Sequence, residues 1–100
     1  MALVWSPRAQ HRLREHARHL AEHDYPETAV NWLMRIKSAA ERLVEFPESG
    51  RESPEFMNQR PKVRDIAIGQ FRLFYRRRKG DVEIISVHHC RQSITTLRAL

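Results

Sequence analysis

Cysteine is almost missing from this 100-residue chain. Cys90 is the single one, which excludes an internal disulfide framework and any zinc site built on several cysteines. No apolar run approaches the ~18 residues that a membrane span requires. No charged-then-apolar signal peptide opens the chain, which points to the cytosol. Internal repeats, low-complexity tracts and long linkers are lacking too, so residues 1–100 read as one domain. Acidic residues are the minority ionic class: 12 Asp and Glu face 18 Lys and Arg, for a formal charge of +6. That excess favours an acidic partner, either nucleic acid or an acidic protein segment, and charge alone does not choose. Arginine greatly outnumbers lysine, and its planar fork suits phosphate or carboxylate. The 41% hydrophobic and 30% charged composition is that of a folded globular chain rather than a disordered one.

Ala2-Leu3-Val4-Trp5 is a short apolar run ended by Ser6-Pro7, which predicts a buried first strand. Ser6 then serves as N-cap, with proline at the first helical position. Ala9, Leu13, Ala17 and Leu20 form one narrow apolar stripe, leaving Arg8, Arg12, Glu15 and Arg18 for solvent. The first helix is expected from about Pro7 to Glu22. Asp24-Tyr25-Pro26 interrupts it, and a second helix restarts near Pro26. Its stripe is Ala29, Leu33, Ile36, Ala40 and Leu43, widened by Val30, Trp32 and Val44, and Phe46-Pro47 closes it. The pair reads as an antiparallel helical hairpin. Glu48 to Lys62, with Pro54 and Pro61, reads as a long loop. The period then switches to two. Val63 to Ile68, Phe71 to Arg77 and Val82 to His89 predict three strands, with Gly69-Gln70 and Arg78-Lys79-Gly80-Asp81 as hairpin turns. The expected class is α+β: an N-terminal strand, a helical hairpin, then a three-stranded antiparallel meander with one face open.

These residues resemble the ParE/RelE superfamily of toxins from type II toxin–antitoxin pairs, ParE-like members most closely. The resemblance runs through Trp5-Ser6-Pro7-x-Ala9, Pro26-x-x-Ala29, Ile36 and Leu43. It continues with Phe46-Pro47-Glu48-Ser49-Gly50-Arg51 against the family's Pro-x-x-Gly-Arg turn, and with Arg64-Asp65 against Arg-Glu. Phe71-Arg72-Leu73-Phe74-Tyr75-Arg76 and Ile85-x-Val87-x-His89-x-Arg91 match its last strands. Phe71 stands for the usual tyrosine, Asp65 for glutamate, and His88 lies beside the family histidine. The resemblance implies this same fold and a small growth-inhibiting protein, and no cofactor is expected. It further implies neutralisation by an antitoxin with an acidic C-terminal segment. ParE-like members are associated with poisoning DNA gyrase, a topoisomerase, whereas RelE-like members cleave mRNA on the ribosome. The fold alone does not decide between them.

Metal-free RNA cleavage by 2′-OH attack needs a base, an acid and cations on the phosphate. The ribonuclease candidates are Arg64, Tyr75, Arg76, His89 and Arg91, with His89 as acid or base. Strand alternation puts Val87, His89 and Arg91 on one face, with Ser86 and His88 on the other. Both histidines could act together only across a bulge. Thr95 to Leu100 contains no tyrosine or phenylalanine, so the C-terminal aromatic usual in RelE-like members is missing. Binding is therefore expected rather than hydrolysis. Structural readings stand beside these roles. His89 reads as a bonded structural histidine, Arg64 with Asp65 as a salt-bridge centre, and Tyr75 as a core aromatic with a bonded hydroxyl. Arg76 to Lys79 read as a solvated hairpin tip, and Cys90 as a small buried hydrophobe. Among His11, His16, His19 and His23, the pairs His16–His19 and His19–His23 share a helix face, and His19 to His23 spell His-x-x-Glu-His, a motif easily met by chance. They read as a solvated face, and no metal is expected. Arg8, Arg12 and Arg18 on the first helix and Trp32 on the second are the expected antitoxin contacts.

Overall fold

Ser6 ends one strand and begins one helix. Its hydroxyl accepts the Ala9 N–H at 3.0 Å, and Pro7 fills the first helical position, where no amide donor is needed. The computed structural model describes residues 2–90. Their elements are β1 (Leu3–Trp5), α1 (Pro7–His23), α2 (Pro26–Glu45), β2 (Arg51–Glu52), a 3-10 turn (Pro54–Phe56), β3 (Val63–Ile68), β4 (Phe71–Arg78) and β5 (Asp81–His89). The fold is the expected α+β arrangement, with the strands in one mixed sheet ordered β1-β5-β4-β3-β2. β3, β4 and β5 are the antiparallel meander, and β1 lies parallel to β5 at one edge. Gly69 at φ 60° makes the first hairpin turn. Lys79 at 54° and Gly80 at 82° make the second, where paired positive φ values match the strand twist.

The helical hairpin covers one sheet face. Ala9, Leu13, Trp32, Ile36, Ala40 and Leu43 pack against Leu73, Tyr75, Val82, Ile84 and Val87. Ala9 and Ala40 are fully buried, and their small side chains let the helices sit close. Burial of the larger aliphatic side chains contributes about 1.5–3 kcal/mol each.

Five expectations are corrected. The first strand is an edge strand with Val4 exposed, because the helices cover only one side of it. The stretch from Glu48 to Lys62 is no plain loop: it contributes β2 and the 3-10 turn. It also closes the face expected to be open, since Phe56 packs there on Val63, Phe74 and Ile85. Val30 is exposed, lying ~100° around the helix from Ala29 and outside the buried stripe. Cys90 is exposed as well, because it follows the last residue pair of β5, Phe71 with His89.

Candidate functional site

The turn after α2 is held by Tyr75. This side chain has no solvent exposure, and its phenol donates to the Pro47 carbonyl and accepts the Gly50 N–H, both at 2.9 Å. Burial pushes the phenol's pKa up, so it stays protonated and able to donate. Arg64, paired with Tyr75 across the β3–β4 ladder, donates from Nη1 to the Gly50 carbonyl at 2.8 Å. Two of the ribonuclease candidates thus grip backbone.

Asp65 points to the other face. Its carboxylate, 4% exposed, accepts Arg51 Nε at 3.0 Å and Arg72 Nη2 at 2.8 Å. Arg72 also forks onto both Glu55 oxygens at 2.7 and 3.1 Å, and its guanidinium lies 4.8 Å over the Phe74 ring. The Arg72 hydrogen bonds hold the Glu55 carboxyl down at about 2. Arg64 and Asp65 are therefore not a pair; alternation sends them to opposite faces. Replacing Asp65 with alanine is expected to cost about 2–4 kcal/mol, since it leaves a mostly buried Arg72 short of one partner. Urea unfolding measures this, and Arg51→Ala, an exposed partner, should cost less than half as much.

Arg64, Tyr75 and Arg76 do meet. With Lys62, Arg77 and Glu48 they line a cavity of about 170 Å³ at the sheet end nearest the Pro47–Arg51 turn. This is a cationic hollow suited to an anion. Arg76 donates from Nε to Glu83 at 2.7 Å, a residue that lines a separate cavity with Arg76, Ser6, Arg8 and Gln59. Neither Lys62 nor Arg77 is among the sequence candidates for the site: Lys62 stands two residues before Arg64, and Arg77 lies in the basic run that reads as a solvated tip.

His89 is elsewhere. It pairs with Phe71, four residues along β4 from Tyr75, or roughly 13 Å at ~3.3 Å per residue. Its Nε2 lies 3.2 Å from the Gln70 amide oxygen, and its ring meets Phe71 edge-on at 5.1 Å. It lines a second cavity, of about 630 Å³, with His16, His19, Glu15, Gln70 and Phe71. His16 is a correction to the solvated-face reading. It packs edge-on against Phe71 and Trp32, at 5.1 and 6.0 Å, and burial lowers its pKa. His11 pairs with Glu15, and His19 lies against His23. Among the described residues, no three His, Cys, Asp or Glu side chains lie together in a way that would hold a metal.

A bulge exists in β5, but not between the two histidines. Phe74 faces Ser86 and Tyr75 faces Ile84, so Ile85 is the extra residue. Downstream of it His88 and His89 keep opposite faces. His88 is 1% exposed, and burial pushes its imidazole down to about 4. Arg91 lies outside the described residues, as does the segment from Thr95 to Leu100. Of the expected antitoxin contacts, Arg8 and Arg18 are exposed on α1, Arg12 is half-buried, and Trp32 is buried at 7%.

A family model described as the ParE toxin of the type II toxin–antitoxin system parDE matches residues 3–94. Among solved structures, a chain of the chromosomal ParDE TA system from P. aeruginosa is similar, with a TM-score of 0.74 at 21% identity. That match covers 89% of this chain and 95% of the other. None of the curated proteins matches significantly.

Proposed function

The chain belongs to the ParE toxin family of type II toxin–antitoxin systems, and from that premise we propose that it arrests growth by binding a target protein, a gyrase-like topoisomerase, and is neutralised by a cognate antitoxin. One observation carries the preference for binding over RNA hydrolysis. Lys62, Arg64, Arg76 and Arg77 surround one cavity, while His89 sits in another at the far end of β4. Cleavage by 2′-OH attack needs the base, the acid and the cations at a single phosphate. A binding toxin needs only a complementary surface, and the cationic hollow with the basic β4–β5 tip supplies one.

The ribonuclease reading draws on the same hollow, because the guanidiniums of Arg64 and Arg77 also suit a phosphate. It requires His89 to act as acid or base from the other cavity. His89→Ala separates the two. The binding reading predicts growth arrest unchanged within about twofold, whereas removal of a general acid or base slows cleavage by ~10²–10⁴-fold. Growth curves after induction, followed beside DNA-break signalling and mRNA cleavage mapping, give the answer. Codon-positioned mRNA cuts that vanish in His89→Ala would replace the topoisomerase reading.

The acidic C-terminal segment expected of the antitoxin suits a +6 chain, since opposite charge speeds encounter and fixes register. Arg8 and Arg18 are exposed on α1. Trp32 is buried beneath His16 and Phe71 and would support the surface from below.

A further inference from the structure

Two cavities, of about 350 and 270 Å³, share Ala39, Arg42 and Ile68 and so form one groove between α2 and β3. Ile66 and Ile68 supply its apolar wall on the sheet side. Met34 and Phe46, 64% and 57% exposed, mark its two ends. Large apolar side chains left that open along one groove mark a surface that something else covers. Arg35 and Arg42 stand on the same helix face, seven residues apart, and line the groove. Among the described residues neither takes part in an ion pair.

The sheet edge beside this groove is only half used. β2 pairs with Arg64 and Asp65 and goes no further along β3. The Val63 carbonyl accepts the Ser53 N–H at 2.9 Å, so the odd-numbered residues of β3 aim their backbone groups outward. Ala67 is the next such residue beyond β2, and it is exposed. The opposite edge of the sheet is stopped at its corresponding place, where the Trp5 carbonyl accepts the Gln10 side-chain amide at 3.0 Å. Among the described residues, a strand position without a backbone partner, an apolar wall at alternate residues and two guanidiniums outside any ion pair together describe the complement of an extended segment.

We propose that the α2–β3 groove takes an extended, acidic, alternately apolar segment of the antitoxin. Its backbone pairs with Ala67, its apolar side chains fill the space between Ile66, Ile68 and Ala39, and its carboxylates meet Arg35 and Arg42. The inference rests on the antitoxin reading above and gives that partner a place. A second copy of this chain would bring Arg35 and Arg42 against a surface of the same net charge, so an acidic occupant fits better.

The test uses the full chain with the product of the adjacent small reading frame, and the free chain as reference. Hydrogen exchange at the Ala67 amide should slow at least tenfold in the complex. Arg35→Glu with Arg42→Glu, both exposed and remote from the core, should weaken the complex at least roughly tenfold. Ala67→Pro, which removes an outward N–H from an edge strand, should weaken it too while far-UV circular dichroism stays unchanged. A synthetic peptide alternating Glu and Val should compete, and the same peptide with Lys for Glu should not. A stable complex whose Ala67 amide exchanges as in the free chain, or that survives the double charge reversal, overturns the placement and leaves the antitoxin reading intact. Protection of Ala67 in a dimer of the chain alone would assign the groove to a second copy and overturn it as well. Absence of any complex would remove the antitoxin reading itself, and the placement with it.

Discussion

Gly50→Ala is expected to lower stability by about 3 kcal/mol, because a methyl group has nowhere to go at that position. A Cβ there would meet the Tyr75 hydroxyl at 2.5 Å, the Tyr75 ring at 2.8 Å and the Asp65 carbonyl at 2.8 Å. Backbone on one side and a fully buried ring on the other leave no flexible group to yield. Forced overpacking costs ~1–3 kcal/mol, and displacing the phenol also loses its bonds to Pro47 and Gly50, each contributing ~1 kcal/mol. The glycine of the family's Pro-x-x-Gly-Arg turn is thus explained by space. Gly80→Ala is the natural control. A Cβ there meets nothing within 4 Å, so only its φ of 82° is strained, at about 1 kcal/mol. Urea titrations of the two variants should differ by roughly 2 kcal/mol. Equal losses would show that the Tyr75 joint is not the constraint.

Acidification is expected to remove about 3 kcal/mol between pH 7 and pH 4, chiefly through His88. The imidazole is buried, and burial, with Arg12 and His16 nearby, pushes it from 6.5 down to about 4. In the unfolded chain it takes up a proton near pH 6.5; in the fold it does not until about 4. The unfolded state therefore binds more protons across that window, and stability present above pH 6.5 is lost as pH falls toward 4. His16, lowered in the same direction by burial, adds to this slope. Glu55 does not, because its stabilisation is full above its ordinary 4.5 and fades only toward about 2. The variant His88→Leu, close in volume and unable to titrate, should flatten the midpoint-versus-pH curve between pH 6.5 and 4. An unchanged slope in that variant would place the acid sensitivity elsewhere.

Elements with a local cause were legible in the sequence. Ser6-Pro7 starts α1, the Ala29-to-Leu43 stripe buries α2, and Gly69 and Lys79-Gly80 make the turns that their φ values require. What escaped depends on partners distant in sequence. β2 is two residues long and exists only because Asp65 and Arg64 lie opposite. The Ile85 bulge hides in Val82 to Val87, where apolar residues suit both faces once Phe56 covers the second one. His16 lies on a helix rich in charge, and nothing local says that Phe71 and Trp32 will enclose it. The candidate site follows the same division. Its residue types were visible, but the parting of His89 from Arg64, Tyr75 and Arg76 is set by register along β4.

The central claim is that this ParE-family chain acts by binding and not by cutting RNA. Supercoiling by purified gyrase, titrated with wild-type toxin and with His89→Ala, tests it most directly. Both proteins are expected to inhibit at concentrations within about twofold of each other, since nothing in a binding surface needs a general acid or base. Unaffected gyrase, beside ribosome-dependent mRNA cleavage that falls ~10²-fold or more in His89→Ala, would contradict it.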